Sequence, residues 1–293
     1  MRILKNNILL IIGIIFLVAL SIMGLKEYDS TYKFLKNEHN KMVSKCEKTE
    51  ILNESYCREV LNDKGPVKLD AYNLTFYIIN YTVFSYFLPL IPLIIIAVSI
   101  EKIYKYMKSG IFRNMIMIDG YKSNIFKLLK HTFKYSLIIP FIIIFIFIIS
   151  ATYSQNFNLG TTYIPDMFFN KAIILVIFYI INLFLNSIFW IGLGVLCAKK
   201  SRNYLVTVLG SYIIYLLYSV IMEISSGLIF TKIKFLQDLN IYSYIKPGNI
   251  WGYDGVNSIL SMTIYSLCLV MVIFIIIYKK YNKKESVIIA NEF

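Results

Sequence analysis

Residues 101–134 read EKIYKYMKSGIFRNMIMIDGYKSNIFKLLKHTFK and separate two long apolar runs. Only Glu101 and Asp119 are acidic in this stretch, against eight basic residues: Lys102, Lys105, Lys108, Arg113, Lys122, Lys127, Lys130 and Lys134. Lys and Arg residues between membrane spans collect on the cytoplasmic side. The sequence therefore predicts that residues 101–134 lie in the cytoplasm, and this prediction orients the rest of the chain.

The composition of the chain indicates an integral membrane protein. Of its 293 residues, 58% are hydrophobic and 16% are charged, whereas soluble domains are about 45–50% apolar. The net charge of +13 does not predict nucleic-acid binding, because the basic residues lie in short segments beside apolar runs. The abundance of Ile, Lys, Asn, Tyr and Phe favours an AT-rich bacterial source.

Six apolar runs predict an all-α integral membrane protein with six transmembrane helices. They cover residues 8–25, 71–100, 135–165, 172–198, 203–222 and 255–278. The predicted inner segments hold 17 basic residues, and the two shorter outer loops hold three. We therefore expect both termini in the cytoplasm. Residues 1–293 are expected to form a single transmembrane domain, multi-pass in the bacterial cell membrane.

The first apolar run has a second interpretation as a cleaved signal peptide. Ala19 and Ser21 are small residues near a potential cleavage site, as such a peptide requires. The run continues without a charge to Leu25, however, which is long for a signal peptide and sufficient for a span. A retained first span is the favoured interpretation.

Residues 26–70 predict a helical hairpin in a large first outer loop. One helix is indicated by apolar or aromatic residues every three or four positions, namely Tyr28, Tyr32, Leu35, His39 and Met42. A shorter helix would carry Leu52, Tyr56 and Val60 and end before the Gly65-Pro66 turn. Cys46 and Cys57 would lie near the bend. A disulfide there would stabilise the hairpin by about 2–3 kcal/mol, and two unpaired thiols are the alternative.

Two features inside the apolar runs have structural and functional interpretations. Pro89 and Pro92 should kink or break the second span, and a packed kink is favoured over a hinge. Glu223 is the one ionisable residue well inside an apolar stretch, which makes it a functional candidate. The alternative, which we favour, places Glu223 at the outer interface, where the fifth span frays toward residues 225–227.

Residues 101–134 contain signals for helices and turns. Residues 101–107 can continue the second span, and the pairs Ser109-Gly110 and Asp119-Gly120 offer breaks. Ile111, Met115 and Ile118 recur at helical spacing between them. Ser123 is expected to cap a helix with an apolar face of Ile125, Phe126, Leu128 and Leu129. An apolar helix with a charged collar suits the docking of a partner, and a helix lying on anionic membrane lipid is the alternative.

The order of residues in this stretch resembles the cytoplasmic loop of the type-2 permease family of ATP-binding-cassette (ABC) exporters. The residues that carry the likeness are Glu101, Gly110, Arg113, Asp119, Gly120 and Lys130. In that family a Glu after the second span precedes a Gly, a basic residue and a helix, and a Lys enters the third span. The turn at 119–123 reads DGYKS, where many members have a Ser-Arg pair.

The resemblance implies a transport subunit rather than an enzyme. Two permease subunits, identical or related, would form the pathway. A separate cytoplasmic ABC ATPase, holding ATP and Mg²⁺, would dock on residues 101–134, so this chain itself would hold no cofactor. The residues implied in coupling to the ATPase are Glu101, Gly110, Arg113, Asp119, Gly120 and Lys122. The aromatic-rich spans favour an amphipathic cargo, such as a peptide, a lipid or a drug.

Motifs for chemistry are absent from the sequence. It contains no GxxxxGK[ST] phosphate loop and no HExxH zinc motif, and its two histidines, His39 and His131, are expected on opposite sides of the membrane. We therefore expect neither enzymatic activity nor a metal site. The main alternative function is a non-transporting immunity or sensor protein that acts through the outer hairpin. A secondary transporter would need intramembrane charges and an internal repeat.

Overall fold

The computed structural model describes residues 8–48, 54–108, 120–155, 172–201, 203–228 and 258–282. Within these ranges all regular structure is helical. The helices are α1 (Ile8–Lys48), α2 (Glu54–Asn62), α3 (Ala71–Tyr81), α4 (Val83–Phe87), α5 (Ile91–Lys108), α6 (Tyr121–Phe133), α7 (Ile138–Ser154), α8 (Ala172–Lys200), α9 (Tyr204–Leu228) and α10 (Ser258–Tyr281). Short 3₁₀ turns at Leu88–Leu90 and Lys134–Leu137 precede α5 and α7.

Six helical segments are long and apolar enough to cross a membrane. They are Ile8–Glu47, Val83–Tyr106, Tyr121–Ser154, Val176–Lys200, Tyr204–Met222 and Thr263–Tyr281. This confirms the predicted all-helical class and the six spans of a multi-pass membrane protein. The orientation of the spans stays a prediction.

Helix α1 joins two elements that the sequence analysis separates. The predicted span and the first arm of the hairpin form one helix of 41 residues, which is about 60 Å long. The apolar core of a bilayer is about 30 Å thick, so the second half of α1 projects beyond it. At the end of this projection, a disulfide joins Cys46 to Cys57 of α2, with the two Cα atoms 5.3 Å apart.

The second apolar run is broken at Thr82, which corrects the expectation of one helix kinked at its prolines. Thr82 has an extended backbone, and its hydroxyl accepts a hydrogen bond from the Phe84 N–H at 3.3 Å. The carboxylate of Glu27 on α1 accepts from the Val83 N–H at 2.8 Å. These two acceptors satisfy donors that the break leaves free. A 3₁₀ turn containing Pro89 adds a second irregularity.

Helix α8 lies at the centre of the bundle. It packs against α5, α7, α9 and α10, and 61% of its most apolar window is buried, against 28% for α9 and 22% for α10. Two glycines allow neighbouring helices to approach α8 closely. A Cβ atom on Gly192 would lie 2.6 Å from Ile273, and one on Gly194 would lie 2.6 Å from Ile100.

Candidate functional site

Helix α6 is the part of the charged segment 101–134 that the structure describes most fully. It begins at Tyr121, and Gly120 is its N-cap with φ +78° and ψ 155°. The expectation that Ser123 caps this helix is therefore wrong. A positive φ favours glycine, which has no Cβ atom to cause strain, so the chain starts the helix after Gly120.

The buried face of α6 also differs from the expected one. It consists of Tyr121, Asn124, Ile125, Leu128 and Thr132, whereas Phe126, expected on the apolar face, is 68% exposed. The Nδ2 group of Asn124 donates to the Gly120 carbonyl at 3.0 Å, which explains how an amide fits on this face.

Tyrosine hydrogen bonds tie α6 to two of the spans. The Tyr121 hydroxyl donates to the carbonyl oxygen of Tyr281, the last residue of α10, at 2.5 Å. The Tyr281 hydroxyl in turn donates to the Val195 carbonyl on α8 at 2.7 Å. Lys199 on α8 donates to the Lys280 carbonyl at 2.6 Å. The start of α6 is thus connected through α10 to the central helix.

A second set of contacts ties α5, on the other side of the charged segment, to α9. The Tyr204 hydroxyl donates to the Ala97 carbonyl at 2.7 Å, and the rings of Tyr104 and Tyr204 lie 5.7 Å apart. Glu101 forms an ion pair with Lys105, one helical turn further along α5. Glu101 is therefore a surface salt-bridge partner on its own helix.

An apolar groove of about 270 Å³ separates the exposed edges of α6 and α10. Phe126 and Tyr278, 68% and 69% exposed, lie on opposite sides of it, and Lys122 supplies a positive charge. The other lining residues are Tyr121, Ile125, Leu129, Ile277, Tyr281 and Asn282. This surface combines apolar and basic groups, as the docking interpretation of the segment requires.

The structure describes three of the six residues that the resemblance assigns to coupling. Glu101 lies on α5, and Gly120 and Lys122 lie at the start of α6. Gly110, Arg113 and Asp119 lie outside the described residues, as do Ile111, Met115 and Ile118. The predicted helix between the two turns therefore stays a prediction.

Glu223 lies in α9, and its side chain is outside the described part of the chain. Helix α9 continues to Leu228, so the expected fraying of the fifth span after Met222 is wrong. A role for the Glu223 carboxylate stays a prediction.

The sequence analysis missed a row of buried polar side chains on α8, which we call the α8 polar row: Asn182, Asn186 and Trp190. The three residues are four positions apart and share one face of the helix. Their exposed fractions are 2%, 1% and 0%. Two Asn residues at this spacing in an otherwise apolar span were the available signal.

Side chains of α9 and α10 cover part of this row. The Ser266 hydroxyl on α10 lies 3.4 Å from Oδ1 of Asn186 and donates to it. The Tyr215 ring on α9 lies 5.9 Å from that of Trp190. The Tyr218 and Tyr265 hydroxyls are hydrogen-bonded to each other and so bridge α9 and α10.

Within the described ranges, no group of three or more His, Cys, Asp and Glu side chains is placed to hold a metal ion. No protein-family model matches the chain, and neither a curated protein nor a solved structure does. The function is therefore inferred from the chain's own residues.

Proposed function

We propose that this chain is the permease subunit of an ATP-driven ABC exporter. Two permease subunits, identical or related, form the pathway, and a separate cytoplasmic ATPase binds ATP and Mg²⁺. The cargo is amphipathic, such as a peptide, a lipid or a drug. Both termini and residues 101–134 lie in the cytoplasm of a bacterial cell.

The observation that carries the proposal is the pair of connections on either side of residues 101–134. Helix α6 is bonded to α10 and, through Tyr281, to α8. Helix α5 is bonded to α9 through Tyr204. A force applied to this segment by a partner would reach both halves of the bundle, because each connection joins elements distant in sequence. A coupling surface has to transmit motion in this way.

The groove between α6 and α10 supports the same proposal. It offers exposed apolar side chains beside Lys122, and a partner with an apolar projection and an acidic rim would complement it. Lipid would complement the same surface, so a partner has to be captured directly.

Gentle purification of the tagged chain from its native membrane tests the proposal. We expect a nucleotide-binding ATPase to co-purify in a fixed ratio, and to be lost from the double variant Arg113→Glu, Asp119→Lys. Lys36→Glu is the matched control, because Lys36 is exposed on the projecting half of α1. Recovery of the intact chain without an ATPase would contradict the proposal.

One observation favours the second candidate, an immunity or sensor protein that acts through its outer hairpin. The disulfide-closed hairpin exposes large apolar side chains outside the apolar run of α1, among them Phe34 (64%), Val67 (78%) and Tyr56 (47%). Such residues are typical of an interaction surface. Co-purification of a protein that depends on Phe34 and Tyr56, and not on residues 101–134, would support this function.

A further inference from the structure

The α8 polar row contains polar atoms without hydrogen-bond partners. Within the described part of the chain, no partner is found for either side-chain polar atom of Asn182, for Nδ2 of Asn186 or for Nε1 of Trp190. Unsatisfied polar groups carry a free-energy penalty that is largest in the interior of a membrane. Three such residues on one face of the central helix indicate that the row has a ligand in another state of the protein.

The atoms of the row define the chemistry of that ligand. The two Asn side chains and the Trp side chain offer N–H donors, and Oδ1 of Asn182 offers an acceptor. A secondary amide has one N–H donor and one carbonyl acceptor and complements this set. The row spans eight residues of α8, or about 12 Å, which is the length of three to four extended peptide residues.

The surroundings of the row exclude a charged ligand. The sequence has no Asp, Glu, Lys, Arg or His in residues 172–198 of α8, 204–222 of α9 or 258–278 of α10. A charged group would therefore enter this part of the membrane without a counter-charge from these helices, which is costly. A neutral peptide segment avoids that cost, whereas a phospholipid headgroup does not.

The helices that cover the row are the less buried ones. Helices α9 and α10 bury 28% and 22% of their apolar windows, against 61% for α8. Less packing is therefore lost when α9 and α10 move away from α8 than when α8 moves from its neighbours. Separation of these helices would uncover the row.

We propose that the α8 polar row binds a neutral peptide segment of the cargo through its backbone amides. In identifying the ligand as cargo, this inference rests on the proposed exporter function. The row then acts inside the membrane, at a site separate from the surface formed by residues 101–134.

Fluorescence of Trp190 provides a direct binding test. The chain has two Trp residues, so a Trp251→Phe variant reports Trp190 alone. The probe is acetyl-Ala-Ala-Ala-amide, which is neutral and has only backbone amides. The control probe is Ala-Ala-Ala with free termini, which carries two charges. We expect a saturable change in Trp190 emission with the blocked peptide and none with the charged one.

Substitution of the row should remove this binding. In the Trp251→Phe background, Asn182→Leu with Asn186→Leu should weaken the binding at least about tenfold, because two hydrogen-bonding groups are lost. Absence of a saturable change, an equal response to the charged peptide, or unchanged binding by the double variant would each overturn the proposal.

A stability measurement separates a binding role from a structural one. Because Asn182 has no partner, Asn182→Leu should leave the unfolding temperature unchanged or raise it. The matched control is Asn124→Leu, which removes a buried amide that has a partner and should lower the unfolding temperature. A fall in the unfolding temperature of Asn182→Leu as large as the control's would contradict the proposal.

These tests use the chain alone, so their outcome differs from that of the co-purification test. A chain that binds the blocked peptide but recovers no ATPase would keep the row as a peptide site and reject the exporter function. A chain that recovers the ATPase but does not bind the peptide would reject the row alone.

Discussion

The end of the bundle that carries the hairpin is held by covalent and ionic links, whereas the end that carries residues 101–134 is held by neutral hydrogen bonds. At the hairpin end, Cys46 is bonded to Cys57, Lys33 pairs with Asp29 at 2.6 Å, and Glu27 caps α4. At the other end, tyrosine hydroxyls donate to the backbone carbonyls of Ala97, Val195 and Tyr281.

The difference indicates which end moves. A disulfide contributes about 2–4 kcal/mol, whereas one neutral hydrogen bond contributes about 0.5–1.5 kcal/mol. A few such bonds can be exchanged at a cost that ATP binding and hydrolysis by a partner would cover. In the proposed exporter, the hairpin end is the fixed end and the end with residues 101–134 is the moving one.

Removal of the disulfide should have the largest effect on this comparison. Cys46 and Cys57 are 11 residues apart, and closing a loop of this size restricts the unfolded chain by about 2–3 kcal/mol. Cys46→Ser with Cys57→Ser should therefore expose the hairpin to limited proteolysis. Cys197→Ser with Cys268→Ser is the control, since both are free cysteines. A hairpin equally resistant in both variants would show that other contacts fix it.

A methyl group at Gly24 should disturb the packing of α1 against the break at Thr82. A Cβ atom there would lie 2.6 Å from the Thr82 hydroxyl oxygen, whereas one on Gly210 would have nothing within 4 Å. Gly24→Ala should lower the free energy of unfolding by about 1–3 kcal/mol. Gly210→Ala should leave it unchanged or raise it by about 0.5–1 kcal/mol. Titration with SDS measures both, and equal values would contradict the close packing at Gly24.

Loss of the Tyr121 hydroxyl should have a smaller effect, at the other end. Tyr121→Phe removes the hydrogen bond to the Tyr281 carbonyl and should cost about 1 kcal/mol in the same titration. Tyr278→Phe is the matched control, because Tyr278 lines the same groove and is 69% exposed. If both variants unfold like the wild type, the Tyr121 bond does not hold α6.

The ion pair on α5 should contribute least. The side chains of Lys105 and Glu101 are 65% and 19% exposed, and a surface pair one helical turn apart contributes about 0.3–0.5 kcal/mol. Lys105→Ala should therefore change the free energy of unfolding by no more than about 0.5 kcal/mol. A loss as large as that of Gly24→Ala would give Glu101 a structural weight that its exposure does not predict.

The sequence predicted the features that depend on local patterns. Length and apolarity predicted the six spans, and the spacing of residues 28–42 predicted a helix there. The break at Thr82 could not be predicted, because its cap comes from Glu27, 56 residues earlier in the chain. The start of α6 was misassigned because Ser123 is a good capping residue, whereas Gly120 acts through its backbone conformation alone.

The candidate sites show the same limit. Basic residues drew attention to 101–134, but the bonds from Tyr121 and Tyr204 join residues more than 100 positions apart and have no sequence signature. The α8 polar row was overlooked because Asn in an apolar span is as typical of helix packing as of ligand binding. Burial without a hydrogen-bond partner distinguishes the two, and only the structure provides it.

Photocross-linking in native membranes tests the central claim most directly. A benzoylphenylalanine residue is introduced at position 122, beside the groove, or at position 36, on the projecting half of α1. The proposed function predicts a cross-link from position 122 to a nucleotide-binding ATPase and no such cross-link from position 36. Cross-links from position 122 to lipid alone, together with a protein partner at position 36, would contradict it and favour the immunity or sensor function.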